Sequence, residues 1–91
     1  MAIIARHLSI SGRVQGVFYR AWAQRQATEL GIAGWVRNCP DGHVEAHVEG
    51  ESAAVEKMIE RLRAGPPAAA VDDVRIWDAD TFDFDGFEVR H

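Results

Sequence analysis

Residues 34–50 read Gly34-Trp35-Val36-Arg37-Asn38-Cys39-Pro40-Asp41-Gly42-His43-Val44-Glu45-Ala46-His47-Val48-Glu49-Gly50, and the fold turns on how this stretch is read. An Asp-Gly pair after a proline, set between two alternating runs, is a hairpin signal: proline presets φ and glycine supplies the left-handed corner. Gly34 to Asn38 is the outgoing strand, and His43 to Glu49 returns with Val44, Ala46 and Val48 facing inward. The alternation also decides against a metal reading. On a helix His43 and His47 would form an i, i+4 ligand pair with Glu45 beside them. On a strand the two histidines stand about 13 Å apart, too far to chelate one ion easily. His43, Glu45 and His47 are therefore expected on a polar outer face of the sheet.

Outward from this hairpin, each flank carries a helix and then a strand. Upstream, Ala23, Ala27 and Leu30 share one stripe of a helix that begins near Phe18 or Tyr19 and stops at Gly31. Before it, Ile4 to Gly12 alternate as a strand with Leu8 and Ile10 inward, and Gly12 and Gly16 bracket a turn. Downstream, Gly50-Glu51-Ser52 opens a second helix with Ser52 as its expected N-cap. Val55, Met58, Ile59 and Leu62 form its apolar face, and Gly65-Pro66-Pro67 ends it. A strand with Val74 and Ile76 inward covers roughly Ala70 to Ala79, and a short last one covers Phe87 to Arg90. The predicted class is α+β: a ferredoxin-like βαββαβ sandwich, an antiparallel sheet with two helices on one face and a short extra C-terminal strand. With 91 residues there is room for one core, so residues 1–91 are expected to form a single domain.

Composition narrows the function classes. Ten basic against 14 acidic residues leave a net charge of −4, against broad nucleic-acid or anionic-membrane binding. The halves differ sharply. Residues 1–40 carry five arginines and a single acid, Glu29, a net +4; residues 41–91 carry five basic and 13 acidic groups, a net −8. An acidic chain that keeps its first 40 residues nearly free of carboxylates either handles an anion there or does so by chance. The lone Cys39 allows no internal disulfide and suits a reducing compartment, so a cytoplasmic location is expected. Thiol-phosphatase chemistry at Cys39 would need a following arginine, and Pro40 to Glu45 offers only acid. The longest apolar run, Met1 to Ala5, is too short to span a membrane. Asp78, Asp80, Asp83 and Asp85 lack calcium-loop spacing and read as solvated surface. An RNA-recognition module of this architecture needs aromatics on its two central strands, where this chain has His7, Ser9 and Ser11 on one and His43, Glu45, His47 and Glu49 on the other.

Two short segments carry candidate chemistry. Gly12-Arg13-Val14-Gln15-Gly16-Val17-Phe18-Tyr19-Arg20 links a strand to a helix, so backbone N–H groups and the helix dipole can meet an anion there. Arg20 in the first helical turn opposes that dipole, which a bound anion would explain through a bidentate grip. No Gly-Lys-Ser or Gly-Lys-Thr follows Gly16, so nucleotide-triphosphate chemistry of the P-loop type is disfavoured. Asn38 can both donate and accept, and so could orient a water. Taken singly, each segment is better explained by an ordinary turn: an exposed arginine in one, a turn-forming asparagine in the other.

Together they say more. Gly12 to Arg20 resembles the first signature of the acylphosphatase family, and Gly34-Trp35-Val36-Arg37-Asn38, followed by Gly42, Val44 and Gly50, resembles the second. The resemblance spans the chain. It implies hydrolysis of the carboxyl-phosphate bond of small acyl phosphates, with no metal, no cofactor and no covalent phospho-enzyme. It implies that Arg20 and the amides of Gln15, Gly16, Val17, Phe18, Tyr19 and Arg20 bind the phosphoryl group, and that Asn38 positions the attacking water. The partners expected are a small acyl phosphate, no nucleic acid and no membrane, with the protein a monomer. A non-catalytic anion-binding or regulatory module of the same architecture is the alternative; a third possibility is the corresponding domain of larger maturation proteins, against which the chain's length argues. Where many members end in Arg-Tyr this chain has Arg90-His91, and no role is assigned to His91.

Overall fold

The computed structural model describes residues 2–91, in the order β1 (Ile3–Arg13), α1 (Tyr19–Leu30), β2 (Ala33–Asn38), β3 (Val44–Glu51), α2 (Ser52–Ala64), β4 (Ala70–Ala79) and β5 (Phe87–Arg90). The strands form one sheet in the order β4-β1-β3-β2-β5. β1 pairs antiparallel with β3 and β4, and β3 antiparallel with β2. The ferredoxin-like βαββαβ plan stands, with one refinement: β5 lies parallel to β2, so the sheet is mixed at that edge. The reason is topological. β4 and β5 occupy opposite edges, and the chain between them must cross the whole sheet before it can pair again.

Alternation sorts the side chains. Leu8 and Ile10 of β1, Val36 of β2, and Val44, Ala46 and Val48 of β3 are fully buried beneath the helices. Ala23 and Ala27 of α1, and Val55, Met58 and Leu62 of α2, close the core from the other side. Burying each of the larger side chains is worth roughly 1.5–3 kcal/mol. Small alanines on α1 let that helix approach the sheet closely.

Two local expectations are corrected. Ile76 faces the same side as Val74 but is 38% exposed, because β4 is an edge strand with a neighbour on one side only. Ser52 is not the N-cap: it is the first residue of α2, Glu51 precedes it, and no side chain caps the helix. The Ser52 N–H instead donates to the Ala2 carbonyl at 3.0 Å, so the residue just ahead of β1 takes up one of the donors at the helix start.

The outer face of the sheet is less open than its polar sequence suggests. Trp77, His7, His47 and Trp35 sit side by side across β4, β1, β3 and β2. Residues 80–86, crossing from β4 to β5, lay Phe82 and Phe84 edge-on against His47 at about 5.5 and 5.4 Å between ring centres. His47 and Glu49 are consequently buried, so the polar outer face expected at His47 is covered rather than open. The acidic run is exposed as expected at Asp78, Asp80, Asp83 and Asp85. Among the described residues, no helix is long and apolar enough to cross a membrane.

Candidate active site

The chain leaves β1 through a bulge between Ser11 and Gly12. Gly12 has φ 120, and a Cβ there would overlap the Ala70 carbonyl of β4, so only glycine fits. Four residues later Gly16 (φ 74) and then Phe18 (φ 61) adopt left-handed backbone. Such residues alternating with ordinary ones curve the chain so that neighbouring N–H groups face one side. For a phenylalanine this conformation costs on the order of 1 kcal/mol or more.

Phe18 precedes α1 as its N-cap yet offers no side-chain bond, and the first turn contains no acid. Among the described residues, the N–H groups of Gln15, Gly16, Val17, Phe18, Tyr19 and Arg20 meet no backbone carbonyl. Six adjacent N–H groups without a backbone acceptor, at the positive end of a helix, are chemically suited to an anion.

Three side chains lock this loop. The Tyr19 hydroxyl donates at 2.6 Å to the Leu62 carbonyl in the last turn of α2, tying the start of one helix to the end of the other. Burial pushes the Tyr19 phenol far above its usual range, so it stays a neutral donor. Gln15 donates from Nε2 to the carbonyls of Cys39 at 2.8 Å and His43 at 2.7 Å, bolting the loop to the β2–β3 turn. Val17 is buried in the core. The side chains of Gln15 and Val17 are therefore engaged away from the helix start, one on the β2–β3 turn and the other in the core.

A cleft of about 360 Å³ opens beside this loop, lined by Val14, Gly16, Phe18, Tyr19, Arg20, Ala21, Asn38, Val89 and His91. The fold thus brings Arg20 and Asn38, 18 positions apart in sequence, to one cavity, and no Asp or Glu lines it. Arg20 is oriented by the end of the chain: its Nη1 donates to the Arg90 carbonyl at 2.7 Å and lies 3.3 Å from His91 Nδ1. A guanidinium only donates, so the imidazole accepts through Nδ1. No local sequence pattern announces the His91 contact, which spans 71 positions. Nε and Nη2 of Arg20 make no bond among the described residues and remain available as a fork. Asn38 ends β2, and its Oδ1 is buried without a protein partner. An acceptor left so costs roughly 1–3 kcal/mol, and the soft χ2 of asparagine allows it to turn toward a donor in the cleft.

The other candidate groups are occupied elsewhere. His43 pairs with Asp41 at 2.9 Å, Glu45 lies between Arg37 at 2.6 Å and His7 at 3.2 Å, and His47 donates to Glu49 at 2.8 Å. Among the described residues, no group of three or more His, Cys, Asp or Glu is gathered as a metal site. Burial, with help from Glu45, pushes the Cys39 thiol up despite Arg37 nearby, which disfavours a nucleophilic thiolate.

This geometry has counterparts in known proteins. The profile of the Acylphosphatase family matches residues 6–89. A protein named Acylphosphatase from an Anaeromyxobacter species is 52% identical over 93 residues, covering 100% of each chain. The solved acylphosphatase of Coxiella burnetii superposes with a TM-score of 0.93 at 39% identity, covering 97% of this chain and 93% of that one. That of Bacillus subtilis gives 0.92 at 30% identity, covering 99% and 100%. With both signature loops on one cleft and kinship running the length of the chain, the protein belongs to the acylphosphatase family.

Proposed function

We propose that the chain, as one domain over residues 1–91, hydrolyses the carboxyl-phosphate bond of small acyl phosphates in the cleft between the β1–α1 loop and Asn38. The observation that carries this reading is the run of N–H groups from Gln15 to Arg20 that meet no backbone carbonyl among the described residues, next to a cleft whose lining holds Arg20 and Asn38 and no Asp or Glu. The phosphoryl dianion sits against the amides of residues 15–20 and takes two donors from Arg20. Asn38 holds a water through its amide, in line with the bond to be broken. The water oxygen forms the new bond to phosphorus, the bridging oxygen leaves as carboxylate, and the water proton passes to a phosphate oxygen. A carboxylate is a good leaving group, so no general acid is required. Positioning and charge stabilisation then carry the acceleration. The protein works as a cytoplasmic monomer without metal.

The decisive assay is benzoyl phosphate hydrolysis in the presence of a chelator, with a phosphate monoester as control. Turnover of the first but not the second is expected; inhibition by phosphate without turnover would favour the anion-binding alternative. In Asn38→Ala, kcat should fall about a hundredfold while inhibition by inorganic phosphate persists. Full activity in that variant would remove Asn38 from the mechanism.

A further inference from the structure

Phe18 is not accounted for by the fold. Its ring is 84% exposed although it lines the cleft, so it contributes little to the core. Its backbone is left-handed (φ 61, ψ 24), where glycine is at ease and an aromatic residue is disfavoured. It caps α1 without a side-chain bond. Neither packing, backbone geometry nor capping calls for phenylalanine here, and a loop that only cradled phosphate would be served better by glycine.

The cleft suggests what the ring is for. A phosphoryl group held by the loop amides and Arg20 leaves its acyl substituent one bridging oxygen away, toward the open side. Around Arg20, Asn38 and His91 the cleft's lining is otherwise largely apolar, with Phe18, Ala21 and Val89 at its surface. Arg20 is the only lysine or arginine in the lining, and it is taken by the phosphoryl group, so an acyl group bearing its own carboxylate finds no second one. An exposed ring gains when an apolar surface covers it, and most when that surface is another ring.

We infer that Phe18 is a specificity-determining residue, its ring packing on the acyl group, and that the site favours acyl phosphates with apolar, above all aromatic, acyl groups over small ones. The inference rests on the acylphosphatase reading above.

The test is the ratio of kcat/KM for benzoyl phosphate to that for acetyl phosphate in the wild-type chain, Phe18→Gly, Phe18→Asn and Phe18→Tyr. Glycine and asparagine both tolerate φ near 60°, so these two variants should melt at or above the wild-type temperature. The ratio should drop about tenfold in both and stay within about twofold of wild type in Phe18→Tyr. A ratio unchanged in the glycine and asparagine variants, whatever their absolute rates, would overturn the inference and leave the acylphosphatase reading intact. Failure of the wild-type chain to hydrolyse either substrate would overturn both.

Discussion

Two loops of this protein solve the same electrostatic problem in opposite ways. Residues 14–18 and residues 80–86 each contain one of the two non-glycine residues with positive φ among the described residues, Phe18 at 61° and Asp83 at 55°, and each leaves a phenylalanine, Phe18 or Phe82, well exposed. Each also presents backbone N–H groups to a position suited to negative charge. In the second loop that charge is internal. Glu49 reaches up from β3 and accepts the Phe82 N–H at 2.9 Å and the His47 ring at 2.8 Å. In the first loop no carboxylate arrives, because the chain from Gly12 to Asn38 has only Glu29, at the far end of α1. A loop held by its own carboxylate has its donor set closed from within, whereas the donors of residues 15–20 are left open, as the proposed phosphate site requires.

Three substitutions separate the open loop from the closed one. In the open loop, Arg20→Lys replaces a fork with a point charge; kcat/KM for benzoyl phosphate should fall by about 10²–10³. Near wild-type kinetics would mean that the loop amides alone suffice. In the closed loop, Glu49→Gln removes the internal anion and should cost about 2–3 kcal/mol in chemical denaturation, with faster hydrogen exchange at Phe82 and Phe84. Exchange unchanged at those amides would show that the aromatic packing on His47, not the carboxylate, holds the loop.

The same carboxyl gives a pH signature. Burial pushes it up, and this is the largest single influence, but the Phe82 N–H, His47 and the Phe84 N–H together hold it below its ordinary value of 4.5. Its stabilisation is therefore complete above that value. It drains away as pH falls through the lowered folded value, because the unfolded chain takes up the proton first. The difference in stability between wild type and Glu49→Gln should accordingly shrink on acidification below about pH 4.5 and stay level above it.

The third variant converts the open loop into the closed kind. Ala21→Asp supplies a carboxylate in the first turn of α1, beside the cleft. Helix stability should rise by about 0.5 kcal/mol through the dipole, while inhibition by inorganic phosphate weakens about tenfold. Unchanged phosphate inhibition would place the anion elsewhere.

Local pattern made much of this molecule legible. The Pro-Asp-Gly turn and the alternation around it gave the central hairpin, and the Val55, Met58, Leu62 spacing gave the buried face of α2. Arg20 and Asn38 could be singled out because both lie in short motifs with a chemical reason attached. What escaped depended on contacts distant in sequence. The outer face of β3 looked solvated because nothing in its alternation announces that residues 80–86 will fold over His47 and Glu49. Ser52 looked like a cap because the competing carbonyl comes from Ala2, 50 positions earlier. Ile76 looked buried because periodicity marks a face but not whether the strand lies at an edge.

By itself, the sequence determined the elements, the inward faces and the carboxylate-poor stretch around the candidate loop, since these follow from spacing and composition within a few residues. Tertiary structure decided which donors remain without acceptors, that β5 runs parallel along the β2 edge, and that Arg90 and His91 hold Arg20 at one cleft with Asn38. Those outcomes depend on segments up to 71 positions apart meeting in space, a matter of chain closure that local periodicity does not encode.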